Sequence, residues 1–230
     1  YCSDVVDNIV TIGTGVKVEH FSLTMNDEQN ILEKFNIKKK YIFSLTGDGI
    51  NKGLDILYNN YILLPDYIKK DICLVLSGNI SILNNNFTEY EKNKNNVIIT
   101  GCISEKEVYI LNKNAWLFIC PSRYEGFGLP PVEAMHHNIP VIVSRRTSLI
   151  EIMEREDFMF EINNNSCLEL IIKLYNNKQF YNECKEHCFL IKNKYTWSNV
   201  VQKFNSVIKN LRRNGEKKEL LRQLRFMSTN

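Results

Sequence analysis

The sequence predicts an α/β fold, a doubly wound parallel sheet of the Rossmann-like kind. Three observations predict it. Six short apolar runs have the length of buried strands, and turn residues bound each of them. Stretches with apolar residues at helical spacing lie between the runs. The fourth run leads into a glycine-rich turn that opens a helix, as α/β domains do at their ligand crevice.

Taken in order, the first strand is expected at residues 41–45. A loop with Gly47 and Lys52 follows it, then a helix on which Leu54, Leu57, Tyr58 and Tyr61 share a face. The second and third strands are expected at 72–76 and 97–100. Between them the Asn-rich stretch 84–96 has too little apolar surface to order itself, and reads as a solvated excursion, with a lid over the crevice as the alternative. Val108 and Leu111 mark a helix before the fourth strand, 116–120. A further helix should open near Leu129, and residues 141–143 and 158–160 supply the fifth and sixth strands. Leu168, Ile171, Ile172 and Tyr175 mark a late helix. Such a sheet places its crevice beyond the carboxyl ends of the strands, where loops 47–52, 101–105 and 122–128 would converge.

The most informative segment is 120–133, Cys-Pro-Ser-Arg-Tyr-Glu-Gly-Phe-Gly-Leu-Pro-Pro-Val-Glu. Gly126 and Gly128 allow backbone to approach a ligand closely. Pro130 and Pro131 suit the first turn of a helix, whose positive dipole end favours a phosphate. Glu133 is expected within that first turn, where its carboxylate could accept hydrogen bonds from the two hydroxyls of a ribose, while Glu125 precedes the turn. No Asp-x-Asp occurs in the chain, so Lys52, backbone amides and the helix dipole, rather than a divalent cation, are expected to neutralise a diphosphate.

Composition bounds the rest. The 230 residues suffice for one substantial core plus appendages, and 29 Lys and Arg against 26 Asp and Glu leave too small a positive excess to suggest nucleic-acid binding. Seven cysteines, with Cys73, Cys102 and Cys120 in apolar runs, suggest reduced core thiols and a cytoplasmic setting. No window approaches the roughly 18 consecutive apolar residues of a membrane span.

These motifs resemble a known family, the retaining glycosyltransferases of the two-domain GT-B type, specifically family 4, also called group 1. The resemblance rests on Pro121, Ser122, Glu125 to Leu129 and Glu133, and on the flanks Asn51-Lys52-Gly53, Gly101, Ile139-Pro140-Val141-Ile142, Ser148-Leu149-Ile150-Glu151 and Tyr195-Thr196-Trp197. It implies the donor-binding, carboxyl-terminal half of a GT-B fold. Residues 1–22 then resemble the connector out of an absent amino-terminal acceptor domain, 23–208 form the nucleotide-sugar domain, and 209–230 a basic helical tail. The chain begins at Tyr1 rather than Met, in keeping with a fragment.

The implied reaction moves a sugar from a nucleotide diphosphate sugar to an acceptor hydroxyl, with retention, in polysaccharide or glycoconjugate synthesis. The acceptor glycan or glycolipid would be held by the other domain. By resemblance Lys52 is a pyrophosphate ligand, Glu125 contacts the donor sugar or leaving-group region, and Glu133 binds the ribose. Ser122, Gly126 and the backbone around Phe127, Gly128 and Leu129 serve the sugar and phosphate. Gly101 and Ile103 border the base, unless they form an ordinary strand-end turn. No cofactor or divalent metal is implied. One departure stands out: the family commonly carries Arg where this chain has Gly47, so Arg123 or a residue of the other domain would have to substitute. Two rivals stay open, another enzyme of the same fold (a phosphorylase or a sugar-nucleotide epimerase) and a non-catalytic binding or scaffolding module.

The remaining candidates have plainer readings. Glu151 suits a helix-start cap. Cys184, His187 and Cys188 have helical spacing that zinc could use but lack a complementary ligand pair, and His136 and His137 read as helix-end residues. From Lys209 to Arg225 basic residues interleave with leucines, and Gly215 interrupts the pattern. This tail reads as a terminal helix with a charged outer face, or as a basic amphipathic helix lying on the inner membrane surface.

Overall fold

The expected strands are short and apolar without alternation, which is the pattern of strands covered on both faces. A computed structural model describes residues 10–16, 21–47, 49–80 and 96–227, with side chains through residue 211 and at 213. Its strands β1 (Lys40–Leu45), β2 (Ile72–Ser77), β3 (Val97–Gly101), β4 (Leu117–Cys120), β5 (Val141–Ser144) and β6 (Met159–Phe160) form one six-stranded sheet in the order β3-β2-β1-β4-β5-β6. Every pairing is parallel, with Ile42 of β1 opposite Leu74 on one side and Leu117 on the other. β2, β4 and β5 are buried along their whole length. The Rossmann-like expectation is met, and all six strands lie where the sequence places them to within a residue or two. Trp116 falls just outside β4, although its N–H donates to Tyr41 O at 2.9 Å, and Phe158 belongs to a 3-10 turn over Glu156–Phe158.

Helices α1 (Met25–Lys34), α2 (Leu54–Ile62), α3 (Asp66–Asp71), α4 (Glu105–Asn114), α5 (Leu129–His136), α6 (Thr147–Met153), α7 (Ser166–Asn176) and α8 (Lys178–Lys192) connect and flank the strands. α1 and α3 fall outside the expected helices. α1 buries no residue and α3 buries only Ile68. Reciprocal caps define the starts of α1 (Thr24 with Asp27) and α4 (Ser104 with Glu107), which satisfies amide donors that a helix start otherwise leaves open. The strand order reverses between β1 and β4, and the loops leaving these two adjacent strands define the topological switch point.

Residues 18–193 make up one compact unit; a second comprises the described parts of 1–17 and 194–230. In the second unit Val16 forms an isolated parallel bridge with Thr196, its N–H donating to Tyr195 O at 2.9 Å. Helix α9 (Trp197–Met227) then runs for 31 residues. It continues through Gly215, where a break in the pattern was expected. A helical glycine costs about 1 kcal/mol relative to alanine, too little to stop a helix of that length. The side chains of the basic tail beyond residue 213 lie outside the described residues, as does the Asn-rich stretch up to residue 95.

Cys73, Cys120, Cys167, Cys184 and Cys188 are buried free thiols. Cys102 departs from the expectation of a core thiol. It is exposed, because it follows Gly101 at the end of β3, where the chain takes a left-handed turn (φ 70°) out of the sheet. Among the described residues no helix is long and apolar enough to cross a membrane.

Candidate functional site

The switch point brings together residues far apart in sequence. After β1 the chain makes a 3-10 turn over Ile50–Lys52 and reaches Gly53 at φ 64°, the cap from which α2 starts. A Cβ on Gly53 would stand 2.0 Å from Pro121 O, so only glycine lets the loop after β1 press against the loop after β4. The Arg123 N–H seals the two loops by donating to Asn51 O at 2.7 Å. Lys52 and Glu125 thereby meet, with Nζ 2.8 Å from Oε1. The buried Ser122 donates its hydroxyl to the same oxygen at 2.7 Å. Ser144, at the end of β5, donates to the Ser122 carbonyl and ties this loop to the next strand.

Glu125 is also held through its backbone. Its N–H donates to Thr147 Oγ1 at 3.1 Å, and its carbonyl accepts from Ser148 Oγ at 2.9 Å. Glu151 is expected to cap its own helix. Instead α6 has no side-chain cap hydrogen bond, and its first two hydroxyls serve the neighbouring loop. Ser148 opens one of the flanking segments that carry the resemblance, but Thr147 stands outside it. The available signal was position alone, a Thr-Ser pair at the carboxyl end of a predicted strand.

At the α5 end, Gly126 has no protein atom within 4 Å of where a Cβ would stand, which leaves room for a ligand. Gly128 is required by the fold itself. At φ 94° it is the cap of α5, and a Cβ there would come within 2.9 Å of Leu149 and Ile152 side-chain carbons, so packing on α6 and backbone conformation require it. Pro130 and Pro131 follow Leu129 directly. Leu129 is thus the one residue among the first three of the helix with an N–H to offer, and the anion site has fewer donors than the dipole alone suggests.

Glu133 is the fifth residue of α5 and lies in its second turn, not the first, because Gly128 fixes the helix start at Leu129. Burial, and secondarily the charge of Glu105, push its carboxyl above the usual glutamate value. Glu105 opens α4 directly after the 101–104 loop, which carries Gly101 and a half-buried Ile103. The Gly101 carbonyl already accepts the Gly78 N–H at 2.9 Å. Phe127 is half-buried between Gly126 and the helix start. Among the described residues no hydrogen bond joins Glu133 to the Lys52, Ser122 and Glu125 group.

Arg123, the expected substitute within this chain for the charge missing at Gly47, is already paired. Its guanidinium forms a two-pronged pair with Asp55 (2.8 and 2.6 Å) and also donates to Ile50 O at 2.8 Å, and Asp55 is held below the usual carboxylate range by it. His187 does not join Cys184 and Cys188. Both thiols point at Val141 O, while the His187 ring bonds Met153 O at 2.6 Å. No group of three His, Cys, Asp or Glu among the described residues could hold a metal ion.

The domain is thus of the Rossmann-like α/β class, with Lys52, Ser122 and Glu125 gathered at its switch point. Residues 27–189 match the glycosyl transferases group 1 family, and the chain belongs to it. It is 28% identical over 203 residues to the serotype-specific mannosyltransferase WbdA of Escherichia coli, covering 84% of this chain and 25% of WbdA. It is 25% identical over 197 residues to the O-antigen biosynthesis glycosyltransferase WclY of Escherichia coli, covering 80% of this chain and 54% of WclY. The solved structure of Anabaena HepE in complex with UDP-glucose superposes with a TM-score of 0.63 at 15% identity, over 82% of this chain and 53% of HepE. The chain thus spans between a quarter and about half of the length of these relatives.

Proposed function

We propose that this chain is the donor-binding half of a retaining glycosyltransferase that moves a sugar from a nucleotide diphosphate sugar to an acceptor hydroxyl in polysaccharide or glycoconjugate synthesis. The observation that carries the reading is the assembly of Lys52, Ser122 and Glu125 at the switch point, beside the start of α5. Lys52 meets the charge that develops on the leaving diphosphate, and the Leu129 amide adds the helix dipole. Glu133 accepts the ribose hydroxyls, and Gly101 and Ile103 border the base. Glu125 lies at the sugar as an orienting group. Its Oε1 already accepts two hydrogen bonds, from Lys52 and Ser122, which damps its nucleophilicity and argues against a covalent intermediate. Retention then follows from attack on the face the diphosphate leaves, with a phosphate oxygen taking the acceptor proton. No divalent cation is needed.

The names of WbdA and WclY point to O-antigen-like glycans and make a mannosyl donor the first to try, with UDP-glucose, the ligand of HepE, next. Because a second domain would complete the site and exclude water, this chain alone should bind donor weakly and turn over little. The test is calorimetric titration of the chain and of Glu133→Ala with UDP, GDP, ADP and TDP in the presence of a chelator. One nucleotide should bind, about tenfold or more weaker in the variant, as expected for losing a charged hydrogen-bond acceptor. If the full-length protein also binds none, the scaffolding reading takes its place.

A further inference from the structure

Thr147 is a β-branched residue at φ 44°, in the left-handed region that such side chains avoid. A hydroxyl at a helix start ordinarily serves the helix's own open amides. Here α6 has no side-chain cap, Thr147 Oγ1 accepts the N–H of Glu125, and Ser148 Oγ donates to the Glu125 carbonyl. Strain and an uncapped helix occur together at the point where both backbone polar groups of one residue in another loop are satisfied. That residue is followed by Gly126, around which space is open, so little else restrains its peptide. Strain of this kind persists where the surroundings over-determine it, and it gathers at working sites.

We propose that Thr147 is a positioning residue: with Ser148 it clamps the peptide of Glu125 and thereby sets the carboxylate against Lys52 and Ser122. The clamp itself is independent of the transferase reading, but its use, keeping Lys52 paired until a diphosphate arrives, rests on that reading. Thr147→Gly separates the clamp from general stability, since glycine accepts φ 44° without strain and lacks the hydroxyl. Thr147→Ser keeps the hydroxyl.

The experiment measures amide hydrogen exchange of Glu125 by NMR in the ligand-free chain, together with the thermal midpoint and the affinity for UDP and GDP. In Thr147→Gly the Glu125 amide should exchange about tenfold or more faster, while amides of β4 and β5 keep their rates and the midpoint does not fall. Thr147→Ser should restore slow exchange. Affinity for the nucleotide that the wild type binds should change in Thr147→Gly and not change further when Glu125→Gln is already present, because both substitutions act through release of Lys52. Unchanged Glu125 exchange in Thr147→Gly, or equal acceleration in Thr147→Ser, overturns the clamp. If exchange behaves as expected while the wild type binds neither nucleotide, the clamp stands and the donor-site reading fails.

Discussion

Removing the charge of Glu125 while keeping its shape should strengthen binding of a bare nucleoside diphosphate. In the ligand-free protein the Lys52 ammonium is engaged, 2.8 Å from Glu125 Oε1, so an incoming diphosphate must take it from a carboxylate of like charge to its own. Glutamine leaves Oε1 able to accept from Ser122, so the loop keeps its hydrogen bond and only the charge goes. The magnitude follows from the pair's exposure. The Lys52 side chain is 43% exposed and that of Glu125 13%, which places the pair between two limits. Exposed pairs contribute about 0–1 kcal/mol, and breaking a fully buried one costs about 3–5 kcal/mol. A release of about 1–2 kcal/mol corresponds to roughly five- to thirty-fold tighter binding. Titration calorimetry of Glu125→Gln with UDP and GDP measures it, and raising the salt toward about 1 M, where the screening length is about 3 Å, should shrink the gain. A complete sugar nucleotide should gain less if Glu125 contacts the sugar as proposed, since that contact would be lost as well. Unchanged or weaker nucleotide binding in the variant would refute the idea that Glu125 and diphosphate compete for Lys52.

Three further outcomes follow from the same geometry. Gly53→Ala puts a Cβ 2.0 Å from Pro121 O at φ 64°, so it should destabilise the protein by about 2–4 kcal/mol, and a thermal midpoint within a degree of wild type would show that the two loops are not pressed together. Glu133 has a raised pKa, so its favourable contribution to stability is fully present below the unfolded value near 4.5 and is lost as pH rises through the higher folded value. Glu133→Gln should therefore match wild-type stability at acid pH and exceed it at pH 7 in urea titrations, while weakening nucleotide binding. Of the described thiols only Cys102 is exposed, so peptide mapping after brief maleimide treatment should find it modified and Cys73, Cys120, Cys167, Cys184 and Cys188 intact until the chain is unfolded.

The sheet was legible because its signal is local. Runs such as Ile72 to Leu76 and Val141 to Val143 can be stable only as covered strands, and each stands between turn residues. The motif likewise placed Lys52, Ser122 and Glu125 on loops from adjacent strands, and there they meet. What the sequence hid depends on fractions of a helical turn or on contacts between loops. Gly128 shifts Glu133 into the second turn, since a cap at φ 94° fixes where α5 begins, and the prolines that make a good first turn also remove two donors from it. Arg123 reads as a spare cation in the sequence, but Asp55, in the first turn of α2, holds its guanidinium.

These contacts change the electrostatic argument, not only the map. Gly47 offers no cation, Arg123 is paired, and the start of α5 is short of amides, so under the proposed function the charge of a diphosphate would fall mainly on Lys52 among the described residues of these loops. Lys52 is itself neutralised by Glu125, whose place depends on Thr147 and Ser148. Donor binding at such a site is an exchange of one anion for another. Its net gain is then small unless further positive charge arrives with the ligand or from outside these loops. Under the proposed function that is a physical reason for this chain to bind donor weakly alone, and for its affinity to depend more on Glu125 than on residues proposed to border the base.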